Sequence, residues 1–222
     1  MKDWQMRIEE RLGADDAPAV LNRDLLNRMT RSARAGRPVP TSSLTHWLKT
    51  ARMRRKLLPV VAGLYLNRYR ARPGSLADAV HWLRADAIVS LNTVLGDAGI
   101  LNNPSQLMTA VVPLDTGAPP PKLGRQVTQA GTVQFFGLPR RIHDAGEPED
   151  RLESTAPRDH VRATPEKALL DWLYLARSPH SRRTSPPKSD IDLTLLNRRR
   201  LKRLAAAMDI KRELDAWLKG GG

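Results

Sequence analysis

The segment 39–69 constrains the fold most, because it has the pattern of a helix followed directly by a β-hairpin. At 3.6 residues per turn, this helix has one apolar side and one polar side. The apolar side consists of Leu44, Trp47, Leu48 and Ala51. The polar side consists of Ser42, Thr45, His46, Lys49 and Met53. We expect the apolar side to be buried and the polar side to be free for a ligand.

The apolar run LLPVVAGLYL, which starts at Leu57, predicts the hairpin. Its apolar and β-branched residues favour strands, and Ala62-Gly63 supplies the turn. Thr41 or Ser42 is expected to cap the start of the helix with a side-chain oxygen. A three-turn helix with a short polar face and a hairpin behind it is typical of a winged helix-turn-helix, whose recognition helix enters the major groove of DNA.

The charges around this segment are strongly uneven. Between Leu25 and Ala77 there are twelve Lys or Arg residues and no Asp or Glu, in a chain of net charge +14. A phosphate backbone favours such a segment, because each neutralised phosphate releases counterions. A basic surface that merely faces solvent is the alternative. The candidate DNA contacts are Ser42, Ser43, Thr45, His46, Lys49, Arg52, Arg54, Arg55 and Lys56.

The domain organisation is predicted from the chain length and from a Pro-Gly pair that interrupts secondary structure. With 222 residues the chain can form one large or two small domains, and Pro73-Gly74 marks a boundary. We therefore expect an α+β, mainly helical protein: a winged helix-turn-helix in residues 1–74 and a C-terminal mixed α/β domain in residues 75–222. In the first domain, residues 18–35 are expected to form one helix before the recognition helix.

The second domain is expected to form around the helix at 163–177, which is apolar nearly all round. Thr164 should cap it, and Asp171 is a lone acid that needs a hydrogen-bond partner. Ser90 is expected to cap another helix. Further along, the pattern predicts a buried strand at 109–114 and a hairpin across Ala130-Gly131.

Several functional classes receive little support from the sequence. The chain has no cysteine, and neither a signal peptide nor an apolar segment of membrane-spanning length is recognisable, so we expect a cytoplasmic protein that does not contact membranes. The segment 143–160 is expected to be an exposed acidic loop. Its His, Asp and Glu residues could hold a metal, but their spacing is irregular, so we expect no metal site, no cofactor and no enzyme. The basic run 198–203 could bind DNA or an acidic or RNA partner, or simply face water.

Three segments together resemble a known family. They are LLPVVAGLYLN from Leu57, AIVSLNTVLGDAGIL from Ala87 and ATPEKALLDWLY from Ala163. In order and spacing they resemble motifs of the AbiEi family, the antitoxins of type IV abortive-infection systems, over about residues 20–215. The resemblance implies a winged helix that represses its own operon at promoter inverted repeats. It also implies a C-terminal domain that counteracts a nucleotidyltransferase-like toxin.

Two further points qualify this hypothesis. Relatives often carry basic residues at the tip of the wing, where this chain has Pro59, Val60, Val61 and Ala62. Arg52 to Lys56 could take over the phosphate contacts.

The alternative function is a partner-binding module whose basic face binds structured RNA or the toxin directly, although few aromatic residues lie near the basic segment.

Overall fold

The structure, a computed structural model, describes residues 3–33, 38–117, 121–153, 160–179, 181 and 183–220. It is a mixed α/β protein. The chain forms two compact units, one consisting of Met1–Ala79 with Val127–Gly131 and the other of Val80–Gln126 with Thr132–Gly222. The first unit thus runs to residue 79, five residues past the division that the sequence predicts, and it includes one short later segment.

The described residues of the first unit form three complete helices and a three-stranded antiparallel sheet. In chain order its elements are α1 (Asp3–Gly13), β1 (Val20–Asn22), α2 (Arg23–Ala33), α3 (Thr41–Met53), β2 (Leu57–Val61) and β3 (Leu64–Asn67). The strand order is β1-β3-β2, so the hairpin of β2 and β3 is extended by β1 on one side. Ala62-Gly63 forms the hairpin turn as predicted, and Gly63 has a φ of +77°.

The expectation of one helix over residues 18–35 was wrong at its start. Residues 20–22 form β1, in which Leu21 is fully buried and pairs with Tyr65. The side chain of Asn22 then accepts a hydrogen bond from the Leu25 amide and begins α2. Apolar residues at helical spacing favoured a helix here. The short strand could not be predicted because its partner lies more than forty residues later in the chain. The predicted end of this helix, at residues 34–35, lies outside the described residues.

The core of the first unit joins its three helices to the hairpin. It contains buried residues from α1, α2, α3 and β2, with Trp4 and Trp47 in edge-to-face contact at 6.3 Å between ring centroids. The Trp47 indole N–H donates to Glu9 at 3.0 Å. Burial, followed by the charge and hydrogen bond of Glu9, raises the pKa of Tyr69 above its ordinary value. Through Trp47, the inner face of α3 is therefore packed and hydrogen-bonded against α1.

Asn67, at the end of β3, is a buried polar residue that no sequence pattern singles out. Its side-chain amide donates to the carbonyls of Leu12 at 2.9 Å and Pro18 at 3.1 Å. Its side-chain oxygen accepts from the Tyr69 amide at 3.0 Å. One side chain therefore connects the end of α1, the start of β1 and the end of the hairpin.

We expect Asn67→Ala to lower the free energy of unfolding by about 2–4 kcal/mol, because each buried polar group left without a partner costs about 1–3 kcal/mol. Urea unfolding monitored by circular dichroism measures this change. Asn103→Ala, at an exposed asparagine, is the matched control and should change the stability by less than about 0.5 kcal/mol. Equal effects of the two substitutions would contradict the role assigned to Asn67.

The second unit is built on a mixed four-stranded sheet. Its elements are α4 (Leu76–Leu83), β4 (Ile88–Val89), α5 (Asn92–Asp97), β5 (Met108–Leu114), β6 (Gly124–Thr128), β7 (Gly131–Pro139), α6 (Arg140–His143), α7 (Pro148–Arg151), α8 (Pro165–Arg177), α9 (Arg198–Ala207) and α10 (Lys211–Lys219). The start of α4, the end of β6 and the first residue of β7 belong to the first unit. The strand order is β4-β5-β7-β6, with β5 antiparallel to β4 and parallel to β7. The predicted strand at 109–114 and the predicted hairpin are confirmed.

Helix α8 is the buried centre of the second unit, as predicted. Thr164 caps it by accepting from the Lys167 amide, and Asp171 is 1% exposed. Asp171 accepts a hydrogen bond from the Ser90 hydroxyl at 2.8 Å and forms an ion pair with Lys167, which is also buried. The expectation that Ser90 caps a helix was wrong: Leu91 occupies that position, with a φ of +62°. Ser90 instead supplies the partner that Asp171 needs.

Within the described ranges, no helix is both long and apolar enough to cross a bilayer.

Candidate nucleic-acid interface

Helix α3 presents the two faces that its sequence predicts. Leu44, Trp47 and Ala51 are buried, and Leu48 is half-buried. The predicted contact residues on the other face are exposed, except for Ser43, which is half-buried at the flank. The exposed ones are Ser42, Thr45, His46, Lys49 and Arg52. Packing against the core fixes the rotation of the helix, so this polar face is fixed as well.

The start of α3 differs from the prediction, because neither Thr41 nor Ser42 caps it. Pro40 occupies the capping position, and its carbonyl accepts from the Leu44 amide at 3.1 Å. Pro40 has no N–H and no hydrogen-bonding side chain, so the helix begins without a side-chain cap. The hydroxyl groups of Thr41 and Ser42 are therefore exposed and free for other contacts.

A basic turn, residues 54–56, continues the polar face beyond α3. Arg54, Arg55 and Lys56 are all exposed. The Arg55 amide donates to the carbonyl of Arg52 at 2.9 Å, and the Lys56 amide donates to that of Ala51 at 2.9 Å. This is a Schellman ending, in which the residue with positive φ is usually glycine. Arg55 occupies that position with a φ of +55°.

Arg55 therefore adopts a conformation that costs about 1 kcal/mol or more for a residue with a Cβ atom. Glycine would relieve this strain but would remove a cation from the surface. At the same turn, the ammonium group of Lys56 lies 5.7 Å from the centre of the Tyr69 ring, which orients this side chain. The turn thus orients the side chain of Lys56. It also carries a cation at Arg55, where the backbone is strained.

A groove of about 720 Å³ runs beside α3 in the first unit. The residues that line it come from α2, α3, the hairpin and one distant turn; they are Arg23, Thr45, Leu48, Lys49, Arg52, Met53, Pro59, Gly63, Tyr65 and Gln129. Three of these side chains are cationic and none is acidic. Sequence reasoning missed Arg23, Tyr65 and Gln129, because their approach to α3 depends on tertiary contacts that no local pattern encodes.

The segment 143–160 is less exposed than expected. His143, Asp150 and His160 are buried, and two short helices, α6 and α7, occupy parts of it. Residues 154–159 lie outside the described part of the chain. In the described ranges no three His, Asp or Glu side chains cluster as a metal site would require. Composition and turn residues predicted an exposed loop here. This prediction failed because the basic partners of the acidic residues come from distant segments of the chain.

The basic run 198–203 supplies some of those partners. Arg203 forms a two-point ion pair with Asp150, with distances of 2.8 and 2.6 Å. Hydrogen bonding to Arg203 holds the pKa of Asp150 below its usual range. Arg200 lies 3.3 Å from Glu166, a buried residue of α8. Two of the five cations in this run therefore have structural partners, while Arg198, Arg199 and Lys202 are exposed.

Comparison with known proteins shows a similarity to a solved structure. No family model and no curated protein sequence matches the chain. A crystal structure of the Rv2827c protein from Mycobacterium tuberculosis is similar, with a TM-score of 0.59 and 20% sequence identity. The similarity covers 100% of this chain and 78% of that one. At this level of identity the comparison establishes a similarity of fold.

Proposed function

We propose that the first unit is a winged helix-turn-helix that binds duplex DNA, with α3 as its recognition helix. The element order supports this: a helix, a short strand, two helices and then a hairpin, with β1 completing the sheet. In such a fold the second helix of the helix-turn-helix enters the major groove. Here that helix is α3, whose inner face is fixed by Trp47 and whose outer face is polar.

The observation that carries the proposal is the exposed face of α3 together with the basic turn, between Ser42 and Lys56, which presents hydroxyl, imidazole and cationic side chains. Arg and Lys suit phosphates and guanine edges, while short hydroxyl side chains suit phosphates and base edges at close range. No acidic side chain interrupts residues 25–77. The strained Arg55 adds support, since a cation replaces the glycine that the backbone prefers.

The RNA-binding alternative needs exposed aromatic rings on which unpaired bases can stack. Trp47 is 2% exposed, and both Tyr65 and Tyr69 are half-buried. In the described part of the first unit, no exposed aromatic side chain lies beside the basic turn. This favours a duplex over a single strand as the ligand.

The resemblance to the AbiEi family extends the proposal. On that basis the DNA would be inverted repeats in the protein's own promoter, the outcome would be repression, and the second unit would counteract a nucleotidyltransferase-like toxin. These remain predictions from the resemblance. The Lys167, Asp171 and Ser90 contacts explain why two of the resembling motifs carry these residue types, because they hold the second unit together.

We expect the affinity for duplex DNA to fall log-linearly with salt. If about five to eight phosphates are neutralised, the slope of log K against log[salt] should be about −5 to −7. Fluorescence anisotropy with a labelled promoter duplex at several salt concentrations measures it. A single-stranded RNA of equal length is the comparison. A slope near zero, or tighter binding of the RNA at every salt concentration, would contradict the proposal.

A further inference from the structure

We propose that the segment Val127–Gly131, which contains the turn between β6 and β7, is a second DNA-contacting element, and that the side chain of Gln129 donates a hydrogen bond to a backbone phosphate beside α3. This inference rests on the proposed DNA binding of the first unit. It adds to that interface a residue that lies more than seventy positions after the basic turn in the sequence.

The main chain of this turn is attached to the hairpin. Strand β2 is the outer strand of its sheet, and its register with β3 shifts between Pro59 and Val61. Val60 is therefore an extra residue in the strand, as in a β-bulge. Its carbonyl accepts a hydrogen bond from the Gln129 amide at 3.3 Å. The turn thus supplies a hydrogen-bond donor to a main-chain carbonyl of the outer strand β2.

The turn is also fixed internally. The Thr128 hydroxyl donates to the carbonyl of Gly131 at 2.7 Å, and the Ala130 amide donates to the Thr128 hydroxyl at 3.1 Å. Gly131 has a φ of +135°, which favours glycine. These contacts are made by the main chain and by Thr128. The Gln129 side chain is exposed and has no hydrogen-bond partner among the described residues.

The position of Gln129 suits its side chain for contact with a phosphate. It lines the same groove as Lys49 and Arg52, the cations that the proposed function assigns to phosphates. A strand of DNA that lies along this groove beside the two cations also meets Gln129, which lines the same groove. Glutamine amides commonly donate to phosphate oxygens and thereby fix the register of a protein on the duplex. Being neutral, Gln129 adds affinity without releasing a counterion.

Charge substitutions at Gln129 in the full chain test this inference, because they keep the main-chain contact with Val60. If a phosphate lies beside the side chain, Gln129→Lys should tighten duplex binding several-fold and make the salt slope steeper by about 0.9. Gln129→Glu should weaken binding several-fold. Met6→Lys adds the same charge at an exposed position of α1 that does not line the groove, and it is the matched control.

The outcomes separate the two proposals. If the unmodified protein does not bind the duplex, the proposed function fails. If it binds, but Gln129→Lys and Met6→Lys give the same affinity and slope, DNA binding stands and the role of Gln129 is refuted. A steeper slope for Gln129→Lys alone, with Gln129→Glu weaker and both variants melting within a few degrees of the original chain, supports the contact.

Discussion

Trp47→Ala should destabilise the first unit by about 3–5 kcal/mol, the usual range for removing a large buried aromatic side chain. Trp47 is 2% exposed, packs edge-to-face against Trp4 and donates its indole N–H to Glu9. The substitution leaves a cavity and removes the indole donor from the half-buried carboxylate of Glu9. For a unit of this size, 3 kcal/mol corresponds to a fall in Tm of at least about 12 °C.

Lys49→Ala and His46→Ala are the matched substitutions on the opposite face of α3. Both side chains are exposed, so each change should alter the stability by less than about 0.5 kcal/mol. Lys49→Ala should still weaken duplex binding at every sequence and make the salt slope shallower by about one. Thermal melts and binding titrations on the same preparations separate the two effects. A Lys49→Ala variant that melts as early as Trp47→Ala would show that the outer face is structural.

Asp171→Ala should destabilise the second unit by about 3–5 kcal/mol, because it leaves the ammonium group of Lys167 buried without a countercharge. Lys167 and Asp171 are 3% and 1% exposed, and Asp171 also accepts from the Ser90 hydroxyl. The loss comes mainly from the stranded charge. The double substitution Lys167→Met with Asp171→Leu, which removes both charges, should therefore recover most of the lost stability.

Urea unfolding gives the free energies, and hydrogen exchange of the peptide covering α8 localises them to the second unit. Asp171→Asn keeps an acceptor for Ser90 but removes the charge, so it should fall between the original chain and Asp171→Ala. Additive losses in the double substitution would mean that the ion pair contributes no coupling. The role that we assign to this pair would then be wrong.

The parts of the fold that the sequence predicted are those with a strong local pattern. The buried face of α3, the turn at Ala62-Gly63 and the buried helix α8 each follow from spacing or turn chemistry within about fifteen residues. The exposed contact residues on α3 follow in the same way, since burying Leu44 and Trp47 fixes the opposite face. Of the predicted fold class, the sequence correctly indicated that the second unit contains both helices and strands.

What the sequence did not reveal depends on partners far away in the chain. Strand β1 has three residues and exists because it pairs with β3. Ser90 and Asp171 are 81 residues apart, so the acid's need for a partner could be predicted but the identity of that partner could not. Gln129 reaches the groove beside α3 through one main-chain bond to Val60. No periodicity or propensity encodes such pairings, which arise from the tertiary fold.

The inclusion of Val127–Gly131 in the first unit affects the order of events during synthesis on the ribosome. At about 5–20 residues per second, this segment is made roughly 2–10 s after residue 79. During that interval β2 has an open outer edge, with the Val60 carbonyl lacking the partner that the later turn provides. An open edge can pair with the same strand of a neighbouring nascent chain. Pro59, which lacks an N–H, and the bulge beside it make β2 a poor template for such pairing, and so protect the growing chain until the turn arrives.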